Sequence, residues 1–160
     1  MGQVPPSRFP FPAAPSPDRA IPRSYGRPPT QWRILYRMRE RSLVAIVDDD
    51  ESVRESLPDL LREFGFAPEA FSSAEAFLAS DVVGETSCLL LDVAMPGMSG
   101  PELQQELRRR RQAIPIVFIT AHGDESVRPG LLAEGAVECL FKPFSEAALL
   151  NALNSALRLR

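Results

Sequence analysis

From residue 43 to residue 158, strand-length apolar runs alternate with helix-length amphipathic stretches. That alternation limits the fold more than any other feature of the chain. It fits a parallel sheet whose connections cross over its two faces as helices. The apolar runs lie at 43–47, 67–71, 87–91, 115–120 and 137–141. Helical patterns fall at about 51–64, 74–80, 100–111, 126–134 and 145–158. The runs CLLL (88–91) and IPIVFIT (114–120) are too uniformly apolar for a sheet wetted on one side, and they suit strands covered on both faces. Ser73 precedes an acidic first turn, Ser99-Gly100-Pro101 puts proline near the start of a helix, and Ser145 precedes Glu146. Each is a helix start signal. Five strand–helix units in succession predict one α/β domain with a doubly wound (βα)5 sheet.

Charge divides the chain. Residues 1–41 hold eight arginines against Asp18 and Glu40, so +6; residues 42–160 hold ten basic and nineteen acidic residues, so −9. Residues 1–31 contain nine of the sixteen prolines. Such a stretch cannot bury enough to fold, so 1–41 reads as a disordered tail and 42–160 as the folded domain. A true start at Met38 would make most of that tail an artefact. An acidic body argues against direct nucleic-acid binding, which needs clustered cations. No apolar run approaches the roughly 18 residues of a membrane span, and the N-terminus has no apolar signal core. Cys88 and Cys139 sit in apolar runs without metal-ligand spacing, as reduced thiols of a cytoplasmic protein do.

Ligands of such sheets bind beyond the carboxyl ends of the strands. The first strand ends in Asp48-Asp49-Asp50, the third at Asp92, the fourth at Thr120, and the fifth just before Lys142. Lys142 is the one lysine beside seventeen arginines. A compact ammonium where arginine is otherwise the rule suits a grip on one small anionic group. Asp50 reads as the cap of the helix that follows. Clustered carboxylates are costly without a counterion, and an oxygen-rich set of this kind suits Mg²⁺ together with a phosphoryl donor. One aspartate could then attack phosphorus.

Four segments carry a family resemblance: Ile46-Val47-Asp48-Asp49-Asp50-Glu51; Leu91-Asp92-Val93-Ala94-Met95-Pro96-Gly97-Met98-Ser99-Gly100; Phe118-Ile119-Thr120-Ala121-His122-Gly123; and Phe141-Lys142-Pro143-Phe144. In order, they resemble the receiver domain of two-component response regulators, in particular its FixJ-like branch. The resemblance implies a CheY-like fold with strand order 2-1-3-4-5. It implies Asp92 as phosphoacceptor, supplied by a sensor histidine kinase or a histidine phosphotransfer protein. It implies Mg²⁺ held by Asp49 directly, by Asp48 through water, by Asp92, and by the backbone carbonyl of Ala94. Thr120 would hydrogen-bond a phosphoryl oxygen, and small Ala121 would keep the approach open. Lys142 would pair with Asp92 and then with the phosphate. The Lys142–Pro143 peptide is expected to be cis, a geometry that proline makes accessible. Output would pass through the face of helix four, strand five and helix five to an unidentified downstream protein, with a homodimer through that face as one form.

Two residues depart from the pattern on that face. Cys139 stands where most receivers carry an aromatic that swings inward on activation. Pro129-Gly130 falls within the expected fourth helix, so that helix either begins near Arg128 or is kinked. Pro58 predicts a bend in the first helix. Arg108–Arg111 fall at the end of the third helix, where cations complement its dipole. His122 stands two residues past Thr120, close enough to influence phosphate lifetime. The helix ending at the last residues of the chain gives the expectation of a stand-alone receiver acting by protein contact or as a phosphorelay carrier. Two other readings stand beside it. One is an interaction module that keeps the fold without the switch. The other is a small phosphatase with Asp92 as nucleophile, which the absence of an acid–base carboxylate at Ala94 disfavours.

Overall fold

The structure is a computed structural model that describes residues 42–121 and 125–158. The expectations for the tail, for a start at Met38 and for His122 lie outside the described residues. Five strands form one parallel sheet: β1 Leu43–Val47, β2 Ala67–Phe71, β3 Thr86–Asp92, β4 Ile116–Thr120 and β5 Glu138–Phe141. Their order is β2-β1-β3-β4-β5. The helices are α1 Glu51–Glu63, α2 Ala74–Leu78, α3 Gly100–Arg109, α4 Arg128–Ala133 and α5 Glu146–Arg158.

The period-two geometry of a strand divides the core in two. Val44, Ile46, Cys88, Leu90, Val117, Ile119 and Leu140 face α1 and α5, where Leu57, Leu61, Leu149 and Leu153 meet them. Their strand neighbours Ala45, Val47, Leu89, Leu91, Ile116, Phe118 and Cys139 face the other way, toward Phe77, Leu103, Leu107 and Leu131. All seven residues of β3 are buried, as a central strand covered on both faces requires. The edge strand β2 is mostly exposed and carries Pro68, which has no N–H to offer a further strand.

Local chemistry sets the helix bounds. Asp50, Ser73 and Ser99 cap α1, α2 and α3 through their side-chain oxygens. α1 is continuous across Pro58. α3 stops at Arg109, two residues short of expectation, and Arg111 follows with a left-handed φ of 58°. The largest departure is at the fourth helix. A 3₁₀ turn at Glu125–Val127 leads into an α4 of six residues that begins at Arg128, with Pro129 in its first turn. There the missing N–H costs no intrahelical bond. The arginines closing α3 are exposed and paired: Arg109 and Arg110 with Glu106, and Arg108 with the side chain and carbonyl of Glu134.

Candidate functional site

The parallel sheet delivers its strand ends to one edge. Asp48 follows β1, Asp92 closes β3, Thr120 closes β4, and Lys142 follows β5. Asp48, Asp49 and Asp92 each bring a carboxylate oxygen within 4.8 Å of the others. Asp48 is 1% exposed and Asp92 7%, whereas Asp49 faces solvent.

Asp48 is held on both oxygens. Oδ1 accepts the backbone N–H of Asp50 at 2.8 Å, and Oδ2 accepts Lys142 Nζ at 2.9 Å. The lysine therefore makes its ion pair with Asp48, not with Asp92 as the resemblance implied. A carboxylate this deeply buried needs a cation beside it. Burial works against the Lys142 ammonium, but its bond to Asp48 and the charges of Asp48, Asp92 and Asp50 outweigh it and raise its pKa. Arg54 was not foreseen. It lies in the first turns of α1, and its Nη1 donates to the Asp48 carbonyl at 2.9 Å, bracing the end of β1. Asp50 caps α1 as expected, accepting Ser52 N at 2.9 Å and Ser52 Oγ at 2.7 Å.

The surroundings of Asp92 oppose its ionisation. Burial, then the charge of Asp48, then hydrogen bonding to Asp49 push its carboxyl up to about 7, against the opposing pull of Lys142. Without a metal ion, the site therefore opposes the ionised form of Asp92 near neutral pH. Three convergent carboxylates, one open to solvent and one destabilised as an anion, form a donor set that fits a hard divalent cation.

The backbone around Asp92 is closely fitted. Gly100 begins α3 against the end of β3, and a Cβ there would collide with the Asp92 carbonyl oxygen and press on the Phe118 ring. Only glycine admits that approach. Ala94 is exposed in the loop after β3. Thr120 is buried, and its carbonyl accepts the Lys142 N–H at 2.8 Å, tying the ends of β4 and β5 together. Ala121 is exposed, and the Lys142–Pro143 peptide is cis. Cys139 is 3% exposed and packs inward toward α4. The sheet edge thus assembles Asp48, Asp49, Asp92, Thr120 and Lys142. Cys139 lies apart, on the face beneath α4.

Comparison with known proteins agrees with this geometry. The family model for the response regulator receiver domain matches residues 44–154. The chain is 40% identical over 134 residues to the response regulator protein TodT of Pseudomonas putida, covering 84% of this chain and 59% of TodT. It is 45% identical over 116 residues to nodulation protein W of Bradyrhizobium diazoefficiens, covering 72% and 51%. Among solved structures, FixJ-N superposes with a TM-score of 0.67 at 39% identity over 73% of this chain and 94% of FixJ-N. The response regulator StyR gives 0.69 at 50% identity over 74% of this chain and 60% of StyR. The chain spans just over half the length of the curated relatives it matches. Among the described residues, no helix is long and apolar enough to cross a membrane.

Proposed function

This chain belongs to the response regulator receiver domain family, and we propose that it takes a phosphoryl group onto Asp92 from a sensor histidine kinase or a histidine phosphotransfer protein. The observation that carries the reading is the convergence of Asp48, Asp49 and Asp92 with the ion-paired Lys142 on one sheet edge. A carboxylate oxygen of Asp92 attacks the phosphorus of a phosphohistidine. The new P–O bond forms as the P–N bond breaks, and the imidazole leaves with the electron pair and gains a proton. Mg²⁺, held by Asp48, Asp49, Asp92 and the backbone carbonyl of Ala94, would neutralise charge on the transferring group. Asp48 has both oxygens engaged, which favours a water-mediated role for it and a direct one for exposed Asp49. Lys142 supplies the cation for a phosphoryl oxygen, the Thr120 hydroxyl donates to another, and Ala121 leaves the entrance open.

Output follows by protein contact in the cytoplasm, through the face of α4, β5 and α5, to a downstream partner or a second copy of the chain. The test is exposure to Mg²⁺ and acetyl phosphate, followed by intact mass. The expected result is one acid-stable, hydroxylamine-labile phosphoryl group, absent from Asp92→Asn. A wild-type chain that takes no phosphoryl group would sink the reading.

Two observations support a second reading, a receiver-fold module that does not switch. Cys139 is small and already buried, and α4 has only six residues. A thiol has far less area than an aromatic ring to move between inward and outward positions. Amide chemical shifts with and without beryllofluoride separate the two. Shifts confined to the pocket favour the module; shifts reaching α4 exclude it.

A further inference from the structure

Glu75 stands in the first turn of α2 and has no part in the chemistry described above. Its Oε1 accepts the backbone N–H of Met98 at 2.8 Å, across 23 residues of sequence. Met98 belongs to the loop of residues 93–99, which leaves Asp92, carries Ala94 and enters α3. The loop is fixed at its two ends. Val93 N–H donates to the Ile119 carbonyl at 3.2 Å, and Gly100 N–H donates to the Val93 carbonyl at 3.0 Å. Between those ends Met95 plugs into the core, while Ala94, Pro96 and Gly97 are exposed.

Glu75 holds the middle. Gly97, next to Met98, has a left-handed φ of 75°, and a Cβ there would sit 2.8 Å from Glu75 Oε1. Two successive residues are therefore fitted to one carboxylate: Gly97 makes room for it and Met98 donates to it. The carboxylate is itself presented from a packed element, because Ala74 and Phe77 of α2 are buried in the same cluster as Met95. Ser73 fixes the start of that helix by accepting Ala76 N at 3.1 Å.

We propose that Glu75 is a positioning residue, whose carboxylate sets the 93–99 loop and through it the Ala94 carbonyl among the groups that hold Mg²⁺. The inference rests on the receiver reading. Glu75 acts as a hydrogen-bond acceptor, so glutamine, which keeps an acceptor oxygen, replaces it. The probe is Mg²⁺ alone, titrated into the full chain by calorimetry and by amide chemical shifts. Outer-shell changes at metal sites weaken binding by about 10-fold or more, and Glu75→Ala is expected to weaken Mg²⁺ by about that factor. With acetyl phosphate, its Mg²⁺ half-saturation point rises while the rate at saturating Mg²⁺ stays near wild type. Glu75→Gln keeps wild-type affinity, and Gly97→Ala behaves as Glu75→Ala does. A folded Glu75→Ala with wild-type Mg²⁺ affinity and half-saturation overturns the inference and leaves the receiver reading intact. So does a Glu75→Gln as impaired as alanine. A wild-type chain with no Mg²⁺ affinity overturns the reading and the inference together.

Discussion

Replacing Asp92 by asparagine should stabilise the metal-free protein, and the gain should grow with pH. Asp92 is 7% exposed, and its carboxyl is pushed from an ordinary 3.8 up to about 7 by burial first and by Asp48 second. The sign follows from linkage. Between those two values the folded chain holds more protons than the unfolded chain, so stability falls as pH rises through that window. The penalty is complete above the folded value and absent below the unfolded one. At about 1.4 kcal/mol per pH unit, a span of about three units sets a ceiling of about 4 kcal/mol. Water reaching the cluster beside exposed Asp49 screens it, which brings the expected cost to about 2 kcal/mol. Asparagine keeps the shape and removes the charge. Urea unfolding of the full chain in a chelator should show Asp92→Asn more stable by about 2 kcal/mol at about pH 8, and by under about 1 kcal/mol at about pH 5. An asparagine variant that is less stable at the higher pH, or equally stabilised at both, would refute the electrostatic account of this cluster.

The site and its surroundings make four further predictions. Mg²⁺ added to the chain near neutral pH in weak buffer should release up to one proton per ion, because binding requires the ionised Asp92; binding without proton release contradicts the raised carboxyl. Lys142→Met leaves the buried Asp48 without its cation and should cost about 2–4 kcal/mol in urea unfolding, a loss that a solvated surface lysine would not produce. Lys142→Arg should retain phosphorylation but fail to transmit it to α4, read as amide shifts with beryllofluoride; wild-type transmission would show that the lone lysine has no special part. Gly100→Ala should cost about 2 kcal/mol or more, since its Cβ meets backbone rather than a movable side chain; a neutral effect would mean that the end of β3 can shift freely.

The sheet was legible because its signal is dense. Each strand is a short apolar run that must be covered on two faces, and the caps Asp50, Ser73 and Ser99 announce the helices behind them. The site edge was legible for the same reason: topology alone carries Asp48, Asp92, Thr120 and Lys142 to one end of the sheet. Pairings across that edge were not legible. Which aspartate takes Lys142 depends on how deeply each is buried, and Asp48 and Asp92 both end apolar strands. Arg54 and Glu75 act through backbone groups, the Asp48 carbonyl and the Met98 N–H, whose positions exist only once the chain has folded. The start of α4 was half legible. Pro129 restricted it to two alternatives, and its tolerance in a first turn decided between them.

The central claim is that Asp92 accepts a phosphoryl group at a site built from Asp48, Asp49, Thr120 and Lys142. Tandem mass spectrometry after reductive trapping of the acyl phosphate, on the full chain treated with Mg²⁺ and acetyl phosphate, tests it most directly. The account predicts one modified residue, Asp92, with modification abolished by chelator. Modification elsewhere, or none at all in a folded chain that binds Mg²⁺, would contradict it.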